Sequence, residues 1–91
     1  MNTKLRSTQE GLIYIRQSLI INFKRPNALE GAKVLGKPVI ITADAIAFLS
    51  HNLDGNVTYF ITNGFEISMN VFYSEAEEIF LSAKARREHE I

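Results

Sequence analysis

The feature that most constrains this chain is a β-hairpin pattern in residues 57–71. Apolar residues recur at every second position on both sides of Asn63-Gly64, and this period of two is typical of half-buried strands. Asn-Gly between two such runs is the strongest short-range signal for a hairpin turn. The alternating apolar positions are Val57, Tyr59, Ile61, Phe65, Ile67, Met69 and Val71.

Two registers are compatible with this hairpin. A two-residue Asn-Gly loop pairs Thr62 with Phe65 and puts the apolar residues of the two strands on opposite faces. A three-residue loop, with Gly64 left-handed in a bulge, pairs Ile61 with Phe65 and gathers them on one face. Because a one-residue slip moves every side chain of a strand to the other face, the apolar pattern predicts the bulged register.

A helix is predicted after the hairpin, beginning at Ser74 or Glu75 and fraying after Ala85. Ser74 and Glu77 have the spacing of a capping box, in which each side chain satisfies a free backbone N–H. Glutamates lie in the first turn and basic residues in the last, as the helix dipole favours. The apolar stripe that should face the sheet consists of Ala76, Ile79, Phe80 and Ala83.

Three earlier segments are predicted to be strands. Alternating β-branched residues indicate a strand over residues 12–23, with a helix as the alternative because Leu12, Ile15 and Leu19 also fit a helical stripe. A short strand over residues 39–42 follows Pro38, at a position where proline is tolerated. Residues 43–50 are ambiguous: their alanines favour a short helix, but we predict a turn and then a strand near residues 45–50.

Connections and chain ends complete the prediction. Glycines punctuate a loop over residues 28–36, and Leu53-Asp54-Gly55-Asn56 is a turn. The 91 residues are predicted to form one small domain, with residues 1–10 mobile and residues 86–91 a fraying tail. The expected fold is α+β, a mostly antiparallel sheet of four or five strands with the C-terminal helix packed on it.

Composition excludes several kinds of site. The chain has no cysteine, which rules out a disulfide, a thiolate zinc site and a cysteine nucleophile. No apolar run approaches the length of a membrane span, and no signal-peptide pattern is present, so we expect a cytoplasmic protein without a membrane partner.

Charge is zero overall but unevenly distributed. Residues 1–37 contain seven basic and two acidic residues, whereas residues 38–91 contain three basic and eight acidic residues. Such asymmetry is typical of a nucleic-acid-binding surface, or of two halves that neutralise each other within the fold or across a dimer. Tyr14 and Phe23 lie among the basic residues, but in a strand they would face opposite sides. The candidate partner or nucleic-acid surface is Arg16, Lys24, Arg25, Lys33, Lys37, Arg86 and Arg87.

No residue pattern indicates catalysis or metal binding. His51 and His89 are the only histidines; we interpret the first as an ordinary surface residue and the second as solvated in the tail. The helical glutamates are explained by the helix dipole, and no serine has a nucleophile context. We therefore expect no enzyme activity, no metal and no cofactor.

The segment "KPVIITADAIAFLSHNLDGNVTYFITNGFEISMNVFYSEAEEIF" resembles two small bacterial patterns. It is similar to the FlbD-like flagellar family in its order of strand, Asn-Gly hairpin and Glu-rich helix. It also resembles the C-terminal half of the LytTR DNA-binding domain, where a helix ends near a basic stretch, here "ARREHE". Both resemblances cover residues from about 38 onward and not the first 37.

Together these patterns favour a non-enzymatic regulatory or adaptor protein that acts by binding a protein partner. Self-association into a homodimer is expected, because an exposed edge strand can pair with a second copy. The alternative is a nucleic-acid-binding transcriptional regulator that uses the basic N-terminal half.

Overall fold

The structure, a computed structural model, describes residues 4–25 and 37–91. Within these ranges the chain forms eight β-strands and one α-helix. The strands are β1 Leu5–Ser7, β2 Leu12–Ile15, β3 Ile20–Lys24, β4 Val39–Thr42, β5 Ile46–His51, β6 Thr58–Thr62, β7 Glu66–Met69 and β8 His89–Glu90, and the helix is α1 Tyr73–Lys84.

The strands form two antiparallel sheets rather than one. The first sheet has the order β4-β2-β1-β8, and the second has the order β3-β7-β6-β5. The predicted small α+β fold with a C-terminal helix is therefore confirmed, with its strands divided equally between two sheets.

Two short 3₁₀ turns carry the chain from the first sheet to the second. One, Gln17–Leu19, joins β2 to β3, and the other, Ala43–Ala45, joins β4 to β5. The predicted strand over residues 12–23 is thus extended, as expected, but broken at the first turn, and the helical alternative is wrong. The prediction of a turn followed by a strand in residues 43–50 is confirmed, as is the strand over residues 39–42.

The first sheet includes both ends of the described chain. Strands β1 and β8 pair antiparallel, with Arg6 opposite Glu90. The buried Ser7 hydroxyl also donates to the backbone oxygen of Arg87 at 3.0 Å. Sequence patterns gave no sign of these strands, since residues 1–10 were expected to be mobile and residues 86–91 to fray. Each strand is too short to show a period, and the pairing joins residues about 80 positions apart.

A single apolar core lies between the sheets and the helix. Helix α1 packs on β1 and β2 through the predicted stripe, in which Ala76, Ile79 and Ala83 are fully buried and Phe80 is half-buried. The strands contribute large apolar side chains from both sheets. These are Leu5, Ile13, Ile15, Ile20, Ile46, Phe60, Ile67 and Met69.

The predicted hairpin register is wrong. Phe60 pairs with Ile67, Ile61 with Glu66, and the Thr62 N–H donates to the Phe65 oxygen at 2.9 Å, so the loop has two residues. Gly64 does not have a positive φ, and there is no bulge between β6 and β7.

The reason for this register is the burial of Phe60, the largest fully buried side chain of the described residues. The observed pairing puts Phe60 on the same face as Ile67 and Met69, whereas the bulged register would bury Tyr59 and its polar hydroxyl instead. The loop is closed by the Thr62 hydroxyl, which accepts hydrogen bonds from the N–H groups of Gly64 and Phe65. In the sequence, Phe60 stands between Thr58 and Thr62, at a position where the alternating pattern otherwise has polar residues.

Helix α1 begins one residue earlier than predicted and without the capping box. Its N-cap is Phe72, which has no side-chain acceptor, and the Tyr73 N–H donates instead to the Gly55 oxygen at 3.0 Å. The predicted turn over residues 53–56, where Gly55 has φ +73°, therefore satisfies a helix N-terminal donor. At the other end, Arg86 takes a left-handed φ of 58° and closes a Schellman motif.

The predicted loop over residues 28–36 lies outside the described residues. Among the helices that are described, none is long and apolar enough to cross a membrane.

Candidate binding surfaces

The basic residues predicted as a partner surface lie on separate parts of the structure. Arg16 follows β2 in the first sheet, and Lys37 precedes β4. Lys24 and Arg25 lie at the end of β3 in the second sheet, and Arg86 with Arg87 follows helix α1. Lys33 lies outside the described residues.

Among these cations, ion pairs are seen at Lys24 and Arg86. Lys24 Nζ lies 3.5 Å from Glu66 Oε2 on the adjacent strand, which is one direct contact between the basic and acidic halves. Asp44 lies 3.3 Å from Lys84 and 3.7 Å from Arg86, so it links the 3₁₀ turn before β5 to the end of the helix. The two pairs of Asp44 are the more exposed ones, whereas the Lys24 and Glu66 side chains are half-buried. Solvent-exposed pairs contribute about 0–1 kcal/mol each.

A basic cleft opens on the outer face of the first sheet. Its volume is about 380 Å³, and its lining includes Lys4, Arg6, Tyr14, Arg16 and Glu90. Alternation along β1 and β2 explains why these polar side chains share the outer face of the sheet. Leu5, Ile13 and Ile15 point into the core, and the residues that alternate with them point outward. The alternation along residues 12–16 places Tyr14 and Arg16 on one face, but Lys4 and Arg6 join them only because β1 pairs with β2.

Arg6 and Tyr14, which both line this cleft, are cross-strand partners. The Arg6 guanidinium carbon lies 4.2 Å from the centroid of the Tyr14 ring, which is a cation–π contact. This contact restricts the arginine side chain over the ring while its charge remains. Within the described part of the chain, neither Lys4 nor Arg6 forms an ion pair.

A second aromatic and basic cluster lies at the end of the second sheet. The rings of Phe23 and Phe65 stack with centroids 4.8 Å apart, and the Arg25 guanidinium lies 5.9 Å from the Phe65 centroid. Phe23 belongs to β3 and Tyr14 to β2, so the two aromatic residues among the N-terminal cations belong to different sheets. They do not form the common stacking surface that a nucleic-acid-binding sheet would need.

The outer edge of β5 is an unpaired strand edge with an exposed aromatic side chain. Strand β5 pairs with β6 on one side and with no described strand on the other. Phe48 in this strand is 56% exposed, although phenylalanine is usually buried. The strand contains no lysine, arginine, carboxylate or proline. A β-bulge between Ile46 and Phe48 disturbs only its first residues.

The other described edge strands carry features that discourage strand pairing. Strand β8 has two residues and includes a carboxylate, and β3 ends in Lys24. Strand β4 is preceded by Pro38, but Ile40 within it is 53% exposed. Because β4 and β5 are consecutive, two exposed apolar side chains lie on edge strands joined by a single 3₁₀ turn.

The two histidines occupy different settings. His51 is exposed at the end of β5, where its Nδ1 lies 2.7 Å from the Asn52 oxygen and its ring contacts Tyr73. His89 is half-buried in β8, with Nε2 3.1 Å from Glu78 Oε1, so the prediction of a solvated tail histidine is wrong. In the part of the chain that is described, no three histidine or carboxylate groups lie together as a metal site would require.

Comparison with known proteins gives no assignment. No protein-family model, no curated protein and no solved structure matches this chain. The resemblances to the FlbD-like and LytTR patterns are therefore not supported by any match over residues 38–83.

Proposed function

We propose that this chain is a cytoplasmic, non-enzymatic adaptor or regulatory protein that binds other polypeptides and itself through the free edge of β5. The observation that carries the proposal is the exposed Phe48 on a strand edge without charges or proline. An edge of this kind offers backbone N–H and C=O groups together with an apolar anchor, which is the basis of recognition by strand addition.

Self-association would use both features. Two β5 edges related by a two-fold axis would pair antiparallel, and each Phe48 would be covered by the partner strand. Burial of this ring removes apolar surface from water at roughly 25 cal/mol per Å². Ile40 on the adjacent edge strand extends the apolar surface available to a partner.

The test is the oligomeric state of the full chain measured by sedimentation and light scattering over a wide range of concentrations. Phe48→Lys puts a charge on the edge and should weaken the dimer by at least about tenfold. The matched control is Leu81→Lys, since Leu81 is also 56% exposed but lies on helix α1. Dimerisation that Leu81→Lys weakens as much as Phe48→Lys would contradict the proposal, as would a wild-type monomer at all concentrations.

Amide hydrogen exchange gives a second readout. Pairing at the edge should protect the outward amides of β5 in a concentration-dependent way, and Phe48→Lys should remove that protection. Retention on a DNA column that falls steeply with salt, in a chain that stays monomeric, would instead favour the nucleic-acid-binding alternative.

A further inference from the structure

The basic cleft on the first sheet has the chemistry of an anion site. It is lined by Lys4, Arg6, Arg16 and Glu90, and within the described residues Lys4 and Arg6 form no ion pair. Arginine presents a planar fork of N–H donors that suits phosphate and carboxylate oxygens. This surface is separate from the β5 edge, so an inference about it does not depend on self-association.

Local structure restricts the position of Arg6. Arg6 is held between two antiparallel partners, with Tyr14 on β2 and Glu90 on β8. The guanidinium lies over the Tyr14 ring at 4.2 Å, and such stacking reduces the conformational entropy that an arginine loses when it binds a ligand. The ring also forms an apolar wall against which a small organic group can pack.

We propose that this cleft binds a phosphate monoester, whose terminal oxygens suit both the stacked guanidinium of Arg6 and the ammonium group of Lys4. The volume of about 380 Å³ falls in the range of roughly 300–1,000 Å³ that small-ligand sites occupy. Glu90 at the β8 side would repel a phosphodiester backbone that continued across the cleft, so the ligand is a small phosphorylated molecule or a terminal phosphate.

The experiment is an NMR titration of the ¹⁵N-labelled full chain at constant ionic strength. The probes are inorganic phosphate and ribose 5-phosphate, with ribose and sodium chloride as controls. Saturable shifts at the amides of Arg6, Tyr14 and Arg16, with a dissociation constant on the order of 1 mM, are expected. Shifts that sodium chloride reproduces, or that do not saturate, would overturn the proposal.

Two variants with opposite expected effects on phosphate affinity distinguish binding in this cleft from general charge attraction. Arg6→Gln should weaken phosphate binding by about tenfold or more, because a charge-assisted hydrogen bond is lost. Glu90→Gln removes the repulsive carboxylate and should strengthen binding several-fold. Arg87→Gln is the control, since Arg87 is an exposed arginine that does not line the cleft. The proposal would be contradicted if Arg6→Gln and Arg87→Gln lowered phosphate affinity equally, or if Glu90→Gln did not raise it.

A short single-stranded oligonucleotide, with and without a 5′-phosphate, distinguishes a terminal phosphate from a nucleic-acid backbone. Tighter binding of the phosphorylated form at the cleft amides supports the proposal. Equal binding of both forms, together with no response to inorganic phosphate, would overturn it in favour of a nucleic-acid surface.

Discussion

The hydroxyl of Thr58 donates a 2.9 Å hydrogen bond to the backbone oxygen of Val71, and both residues are buried. This bond joins the start of β6 to the segment that leads into helix α1. It exists because Thr58, and not Val57, faces the core. The same bond satisfies a polar group that would otherwise be costly to bury beside Phe60 and Met69.

Replacement of Thr58 by valine should lower the free energy of unfolding by about 1–2 kcal/mol. The two side chains have nearly the same shape, so the loss reflects the Val71 oxygen, which would remain buried without its donor. The measurement is urea unfolding followed by circular dichroism. Thr42→Val, at an exposed strand position, is the matched control and should change stability by less than about 0.5 kcal/mol. Equal losses in the two variants would contradict the role of the hydrogen bond.

The hairpin register predicts a large difference between adjacent positions. Phe60→Ala should cost about 3–5 kcal/mol because it removes the largest buried side chain of the described core. Ile61→Ala should cost only about 1 kcal/mol, since Ile61 lies on the other face and is half-buried. Chemical denaturation of both variants tests this difference. The bulged register would reverse the order, so a more damaging Ile61→Ala would refute the observed pairing.

Three glycines should respond to alanine substitution in a graded way. Gly11 has φ +81°, and an added Cβ would lie 3.3 Å from the Ala83 oxygen, so strain and crowding should together cost about 2 kcal/mol or more. Gly55 has φ +73° but open space around it, so Gly55→Ala should lower the free energy of unfolding by about 1 kcal/mol. Gly64 has neither feature and should tolerate alanine. Thermal unfolding gives the ranking, and a destabilising Gly64→Ala would indicate a left-handed loop residue after all.

Tyr73 should make stability depend on alkaline pH. Burial raises the pKa of the Tyr73 phenol above its ordinary value of 10.0, and the nearby Glu77 carboxylate raises it further. Because the folded state holds this proton more tightly than the unfolded chain, the contribution is complete below pH 10 and is lost as the pH rises through the folded pKa. The unfolding free energy should be measured between about pH 8 and 11, which brackets the ordinary tyrosine pKa of 10.0. Over this range it should fall less steeply with pH in Tyr73→Phe than in the wild type.

Glu77→Gln provides the comparison for this effect. It removes the carboxylate but keeps the burial, so the alkaline slope should lie between those of the wild type and Tyr73→Phe. A slope in Tyr73→Phe that equals the wild-type slope would mean that other groups cause the alkaline loss of stability.

The candidate surfaces were only partly predictable. The alternation of residues 12–16 placed Tyr14 and Arg16 on one face, but Arg6 reaches them through β1, a three-residue strand with no readable period. The strand character of β5 was predicted, and its lack of charges is visible in the sequence "IAFLSH". That this strand lies at an edge depends on which strands pair in the second sheet, which no local pattern encodes.

The sequence by itself determined the features that depend on neighbouring residues. Strand β4, the turn at Gly55 and the apolar stripe of α1 follow from periodicity and turn chemistry, which act over a few residues. Only the tertiary structure decided the division into two sheets, the pairing of β1 with β8 and the register of the hairpin. These depend on which distant apolar groups can be buried together, and burial of Phe60 against Ile67 outweighed the more regular stripe that includes Tyr59.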